Sequence, residues 1–231
     1  YLSLRRARKN PWKPGGQNET NRQIHNAILR AGVNVKTDYN SHIFHQKFII
    51  KDRKEVLTGS TNFTCTGTST NLNHLVVIKD EAVAKTYFRE FTEIQNGHFG
   101  KLAEGHDKKP KEVTVSGVPV RIYFAPDHAP EMEIMKQMLK ASSRIDFVMF
   151  TFARSSGIDD TMIALAKSGM KVRGVLDVGM ESREWSASRP LAKAGVDLKH
   201  IKPNGNLRKL HHKLMVIDQQ LIIGGSFNYT G

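Results

Sequence analysis

His45-Gln46-Lys47-Phe48-Ile49-Ile50-Lys51-Asp52, with Gly59-Ser60-Thr61-Asn62 seven residues after the Asp, is the stretch that decides the fold. It reads H-x-K-x4-D, then G-S-x-N. The signature returns as His211-His212-Lys213-Leu214-Met215-Val216-Ile217-Asp218, with Gly225-Ser226-Phe227-Asn228 again seven residues on. Matched spacing in two copies is hard to explain by chance. In each copy the apolar run between Lys and Asp reads as a buried strand, and a second strand follows a polar turn. His and Lys are two apart, so on a strand both face one side, and His212 points the other way.

Outward from the motifs, strands alternate with helices. A helix is expected over 20–30, then a short strand at Val33-Asn34-Val35 and strands at 44–50, 56–58 and 75–78. Asp80 reads as the cap of a helix with Val83, Tyr87, Phe88, Phe91 and Ile94 inward. Residues 96–112 lose apolar periodicity and read as a linker. Beyond it come a strand at 118–124, a helix from Pro130 with Ile134, Met135, Met138 and Leu139 inward, and strands at 145–151, 171–177 and 196–201. Helices are expected at 158–168 and 182–194. The pattern predicts two α/β sandwich domains with mixed or largely parallel sheets, at 1–95 and 113–231. Ala31-Gly32-Val33 before the first motif answers Ala194-Gly195-Val196 before the second, and the motif histidines lie 166 positions apart (211 − 45). Aligned this way, the first domain is expected to lack N-terminal elements and the second C-terminal ones, as in the middle of a longer chain.

The residue types point to phosphoryl chemistry. One imidazole can attack phosphorus, and the other can protonate the leaving oxygen and then deprotonate water, both near an unperturbed pKa of about 6.5. Two ammonium groups and two amides can stabilise the non-bridging oxygens. Nothing in that set calls for a metal or another cofactor. Asp52 and Asp218 sit where turn residues sit, and Gly59 and Gly225 where bulge glycines sit.

The doubled pattern resembles the phospholipase D superfamily, in particular its bacterial-type lipase-like and nuclease members, and the likeness covers essentially the whole chain. It implies two pseudo-symmetric α/β/α sandwiches with one active site between them, and a metal-independent reaction through a covalent phosphohistidine. By position, His45, Lys47, Asp52, His211, Lys213 and Asp218 become the catalytic set. Ser60, Asn62, Ser226 and Asn228 become phosphate-binding or supporting residues. His45 is favoured as nucleophile, and the two Asp are expected to support structure more than chemistry. Many members carry N-x-E after G-S-x-N; here the tripeptide is Asn71-Leu72-Asn73, so an amide stands where a carboxylate would orient the imidazole.

Composition narrows the partners. With 35 Lys+Arg against 22 Asp+Glu the net charge is +13, which favours a polyanion: nucleic acid first, a phospholipid or an anionic membrane surface second. Basic residues gather at 5–13 and at Lys202, Arg208 and Lys209. Met149, Phe150, Phe152 and Met180 could line an apolar entry for a phospholipase or phosphatidyltransferase, and core packing explains them equally well. Trp12 and Trp185 are stacking or interface candidates, and His74 and His212 are the other histidines nearest the motifs. A non-catalytic polyanion-binding fragment is the third reading. Cys65 is the single cysteine, which excludes an intramolecular disulfide. No apolar run of about 18 residues is present, so no membrane-spanning helix is expected.

Overall fold

Residues 19–36, 43–100 and 110–230 are described by a computed structural model. The basic cluster at 5–13, Trp12 and the 101–109 part of the expected linker lie outside them.

The first motif folds as a hairpin. Phe48–Lys51 (β1, after helix α1 at Glu19–Arg30) pairs antiparallel with Glu55–Gly59 (β2). Asp52 and Arg53 hold the turn with φ of 51° and 56°, the two positive values a type I′ hairpin turn needs. Next come a five-residue helix, Cys65–Ser69 (α2), a two-residue strand, Asn71–Leu72 (β3), and Leu75–Lys79 (β4), which adds antiparallel to β2. Asp80 caps Glu81–Gln95 (α3) by accepting the Val83 N–H at 2.9 Å, as its place in the sequence predicts. Val83, Ala84, Tyr87 and Ile94 are buried, but Phe91 is exposed and Glu90 is buried in its stead. Val33–Val35 forms no strand: Val33 is exposed and no partner strand lies beside it among the described residues.

The segment expected to open the second domain lies elsewhere. Only Val118–Val120 (β6) is strand, paired in a hairpin with Val113–Val115 (β5) rather than running on to 124. Val113, Val115, Ile122 and Phe124 pack with Val56, Val83, Ala84 and Tyr87 in the first core. A boundary at 113 therefore cuts through elements that close the first core.

The second core begins at Pro130–Met138 (α4), where Leu139 is exposed instead of inward. Arg144–Met149 (β7), Ile158–Lys167 (α5) and Lys171–Asp177 (β8) follow. The helix expected over 182–194 is two pieces, Val178–Glu181 (α6) and Ser188–Lys193 (α7). A continuous helix would set the Pro190 ring against the carbonyl of residue 186, whereas in the first turn of α7 proline is tolerated. Asp197–Ile201 (β9), Lys209–Leu210 (β10), Lys213–Ile217 (β11) and Leu221–Gly224 (β12) complete the chain. The sheet order is β12-β11-β7-β8-β9, with β7, β8 and β9 parallel and β11 antiparallel to both neighbours. Alternation along β7 and β11 buries Ile145, Phe147, Met149, Met215 and Ile217 with Met138, Met162, Leu176 and Leu191. Gly174 lies under the Phe147 ring, where an added Cβ would come within 2.1 Å.

The β11–β12 hairpin repeats β1–β2, down to positive φ at Asp218 (53°) and Gln219 (60°). What joins the halves is small. β10 pairs parallel with β3, Lys209 opposite Asn71 and Leu210 opposite Leu72.

Candidate functional site

Carried past Leu72 and Leu210, the β3–β10 register sets Asn73 against His211 and His74 against His212. His211 Nδ1 lies 2.9 Å from Asn73 Oδ1, and His212 Nδ1 lies 3.2 Å from His74 Nδ1 with the rings stacked at 4°. The alternation along β11 extends back through the motif. His211 and Lys213 are buried on the face that holds Met215 and Ile217, and His212 turns the other way.

Hydrogen bonding assigns the Asn73 amide. Its Nδ2 donates to the Gly67 carbonyl at 2.7 Å, so Oδ1 is the acceptor, taking the Ser60 hydroxyl at 3.0 Å and the His211 Nδ1–H. The tautomer follows: Nδ1 of His211 carries the proton and Nε2 keeps its lone pair. Ser60, fully buried, also accepts the His74 N–H at 3.1 Å, and its own N–H donates to the His74 carbonyl at 3.0 Å. Gly59 permits that approach, since a Cβ there would meet the His74 carbonyl oxygen at 2.3 Å.

The lysines are arranged alike in both halves. Lys47 Nζ donates to the His45 carbonyl at 2.6 Å and Lys213 Nζ to the His211 carbonyl at 3.0 Å. Each ammonium thus keeps further N–H donors for another oxygen. Burial pushes Lys47 down to about 8; burial and the Lys47 charge push Lys213 down to about 7. Burial, then the charges of Lys213 and Lys47, press His211 down to about 3, with a smaller contribution from His45. His45, half-buried, therefore belongs to the same electrostatic cluster. Phe150, at the end of β7, walls it in. Its ring centre is 4.8 Å from the His211 ring, and Lys213 and Lys209 sit over it at 5.1 and 5.4 Å.

The remaining motif residues divide. Asn228 Oδ1 is buried without a hydrogen-bond partner, beside the Thr151–Tyr229 backbone pairing that adjoins Phe150. Asn62 and Ser226 are half-buried and stand outside the Asn73–His211 network. Asp52 and Asp218 are not brought to the cluster. They close the hairpins at the far ends of β1 and β11, roughly 16 Å from the lysines at about 3.3 Å per residue. Asp218 instead accepts the N–H groups of Ser142, Ser143 and Arg144 and both serine hydroxyls at 2.8–2.9 Å. Those bonds hold its carboxyl well below the usual range and anchor the start of β7. Sequence spacing places both Asp in the motif but carries no sign of this anchoring. It also leaves the His74–His212 contact hidden, because the partners are 138 positions apart.

Asn73→Asp would put a carboxylate against the His211 Nδ1–H. The expected outcome is a rise in the imidazole pKa of about 1–3 units, followed by NMR titration of the His211 ring. An unchanged titration would show that residue 73 does not govern the ring.

One motif in two copies on paired α/β units, facing one cluster of histidines and lysines, defines a phospholipase D-like protein. A family model described as "Cardiolipin synthase, PLD-like domain" matches residues 7–95 and 134–231, and the chain belongs to that family within the phospholipase D superfamily. The match leaves out 96–133, the stretch that holds β5 and β6. The chain is 39% identical over 64 residues (28% of its length) to the mitochondrial cardiolipin hydrolase of Xenopus tropicalis and to a phospholipase D of Rickettsia felis. These matches cover 30% and 32% of those proteins, so the chain spans about a third of the length of these relatives. The fold is like that of phosphatidylserine synthase from Haemophilus influenzae, with a TM-score of 0.50 and 10% identity, over 77% of this chain and 52% of that one. Among the described residues, no helix is long and apolar enough to cross a membrane.

Proposed function

We propose that the chain is a phosphodiesterase acting through a covalent phosphohistidine, with nucleic acid as its substrate. The observation that carries the reading is the placement of His211: its Nδ1 lies 2.9 Å from Asn73 Oδ1, and it is buried in one cluster with Lys213 and Lys47, whose charges disfavour its imidazolium. A neutral imidazole whose Nδ1 carries the proton keeps its Nε2 lone pair for attack at neutral pH, so the role goes to His211 rather than to His45.

In the first step His211 Nε2 bonds to phosphorus and the P–O bond to the leaving group breaks. The leaving oxygen takes its proton from the His45 imidazolium. In the second step His45 removes a proton from water, the water oxygen attacks phosphorus, and the P–N electron pair returns to His211. Lys47, Lys213 and Asn228 receive the non-bridging oxygens, with Asn62 as the counterpart of Asn228 in the first half. Ser60 steadies Asn73, and Ser226 is the matching hydroxyl of the second motif. Asp52 and Asp218 brace the hairpins. The net charge of +13 supports a polyanionic chain as substrate.

Phospholipid is the second reading. It is favoured by the family description and by relatives named cardiolipin hydrolase and phospholipase D. An anionic membrane surface would then be the partner.

The test is a parallel assay with EDTA present, on single-stranded DNA, duplex DNA, RNA and phosphatidylcholine vesicles. Each substrate carries 32P and is quenched during turnover. Wild type is expected to degrade nucleic acid and to trap an acid-labile label. His211→Ala should trap none, whereas His45→Ala should form the adduct and release it slowly. Label retained in His211→Ala would move the nucleophile to His45. Head-group release without nucleic-acid cleavage would select the lipid reading.

A further inference from the structure

A cavity of about 420 Å³ opens outside the histidine–lysine cluster, lined by Arg154, Arg183, Glu184, Ser186, Arg189, Pro190 and Lys193. Four cations face one concavity with a single carboxylate among them. Some other arginines of the surface are paired: Arg144 and Arg173 share Asp146, and Arg121 meets Glu112. Among the described residues, none of the four cavity cations is within ion-pair distance of a carboxylate, and Arg154 alone feels a buried one, that of Asp159. Arg154 is instead held in place by backbone. Its N–H donates to the Trp185 carbonyl at 3.0 Å and its Nη2 to the Glu184 carbonyl at 2.6 Å. Such a cluster repels itself until an anion enters.

Its position relates it to the site. Phe150 touches His211, and four residues further along the same chain stands Arg154, so their Cα atoms are at most about 14 Å apart. Between them Ala153 bonds to the Tyr229 carbonyl at 2.7 Å, next to Asn228, and bridges to Ser186 on the cavity wall. The other wall leaves β8 at Asp177, whose carboxylate accepts the Leu210 N–H at 2.9 Å just before His211. Both walls are thus tied to the segments that carry the cluster. Trp185, 42% exposed, lies on the cavity loop as a face for a base to stack on.

We propose that this cavity is a subsite for phosphates flanking the scissile bond of a single-stranded nucleic acid, with Arg154, Arg183, Arg189 and Lys193 as phosphate ligands and Trp185 as a stacking platform. Its volume is that of a small-molecule pocket, which takes one or two nucleotides of a strand and not a duplex. The proposal rests on the phosphodiesterase reading for its orientation, and binding alone can judge it separately.

The experiment compares the full chain with Arg154→Ala/Arg189→Ala, Arg183→Ala/Lys193→Ala and Trp185→Ala, each checked for an unchanged melting temperature. Two readouts are needed. The first is kcat/KM on bis(p-nitrophenyl) phosphate, which has one phosphate, and on oligo(dT) of 2, 4, 8 and 16 nucleotides. The expected result is no change on the small ester and a loss of about 10–100-fold that appears once the strand reaches the cavity, by the 4-mer, and levels off in the 8-mer and 16-mer. The second is anisotropy of labelled oligo(dT)16 against salt, where each lost phosphate contact should lower the log–log slope by about 0.7. Equal losses on the small ester and the 16-mer, or an unchanged salt slope in the two double variants, would overturn the subsite. If wild type turns over neither substrate but the slope still falls in the variants, the subsite stands and the phosphodiesterase reading fails. If the variants lose binding to cardiolipin vesicles and keep oligonucleotide binding, the cavity serves a lipid and the proposal is wrong.

Discussion

Lys213→Met is expected to lower kcat/KM for a phosphodiester by about 10²–10³-fold, the usual cost of losing one donor to a developing charge, while leaving the melting temperature level or higher. The two effects diverge for one reason. Lys213 is 2% exposed and begins a strand whose next inward residues are Met215 and Ile217, so in the empty protein its ammonium is held away from water against its preference. A thioether of similar length removes that cost. The same burial makes the activity pH-dependent with a definite sign. Lys213 titrates at about 7 in the free protein, and only its charged form can stabilise the phosphate. kcat/KM, which reports the free enzyme, should therefore fall as pH rises through 7. A bound phosphate raises the lysine's pKa, so kcat should persist to higher pH. A kcat/KM flat from pH 6 to 9, or a Lys213→Met chain with wild-type turnover, would remove Lys213 from the proposed chemistry.

Acidification should unfold this protein early. His74 is pushed down to about 4 by burial, then by the charges of His212 and Lys213; His211 is pushed down to about 3, and His212 is also lowered, chiefly by burial. Each ring stays neutral in the fold while its unfolded counterpart takes up a proton below about 6.5. The unfolded chain then binds more protons, so stability falls as pH drops from about 6.5 toward 4. Asp218, whose carboxyl is depressed, contributes stability that is lost only below the ordinary carboxylate range, so it does not blur this window. Lys213 and Lys47 act in the same direction at higher pH. Their folded values of about 7 and 8 lie below the unfolded value of 10.5, so stability should still rise from pH 7 toward 10. The expected result is a melting temperature that climbs by about a few degrees per pH unit from 4 to 6.5 and peaks on the alkaline side. His74→Leu/His212→Leu should flatten the acid limb. A maximum below pH 7, with no change in slope in the double variant, would contradict this account of the interface.

Much of this arrangement was legible in the residues. The spacing of His and Lys announced which side chains share a strand face, and Asp80 announced a helix start, because both are local rules of backbone geometry. The phospholipase D-like pairing of two α/β halves followed from the doubled motif. Elsewhere the decisive partner was distant. β3 and β10 are two residues long and have no periodicity to read. The Asp218 anchor depends on Ser142 and Ser143, across a sheet whose order the sequence does not print. The expected 182–194 helix failed at Pro190, whose meaning depends on where the first turn begins. Residues 113–124 carry strand-like alternation but no mark of which core they join.

The ribbon formed by β3 and β10 gives the protein something like a key. Its offset of 138 places Asn73 opposite His211 and His74 opposite His212. A slip of one residue would turn each side chain to the opposite face and set His212, in place of His211, against Asn73. A single residue gained or lost within 71–74, or at 209–210, would shift that register while leaving both motifs intact to a reader of the sequence.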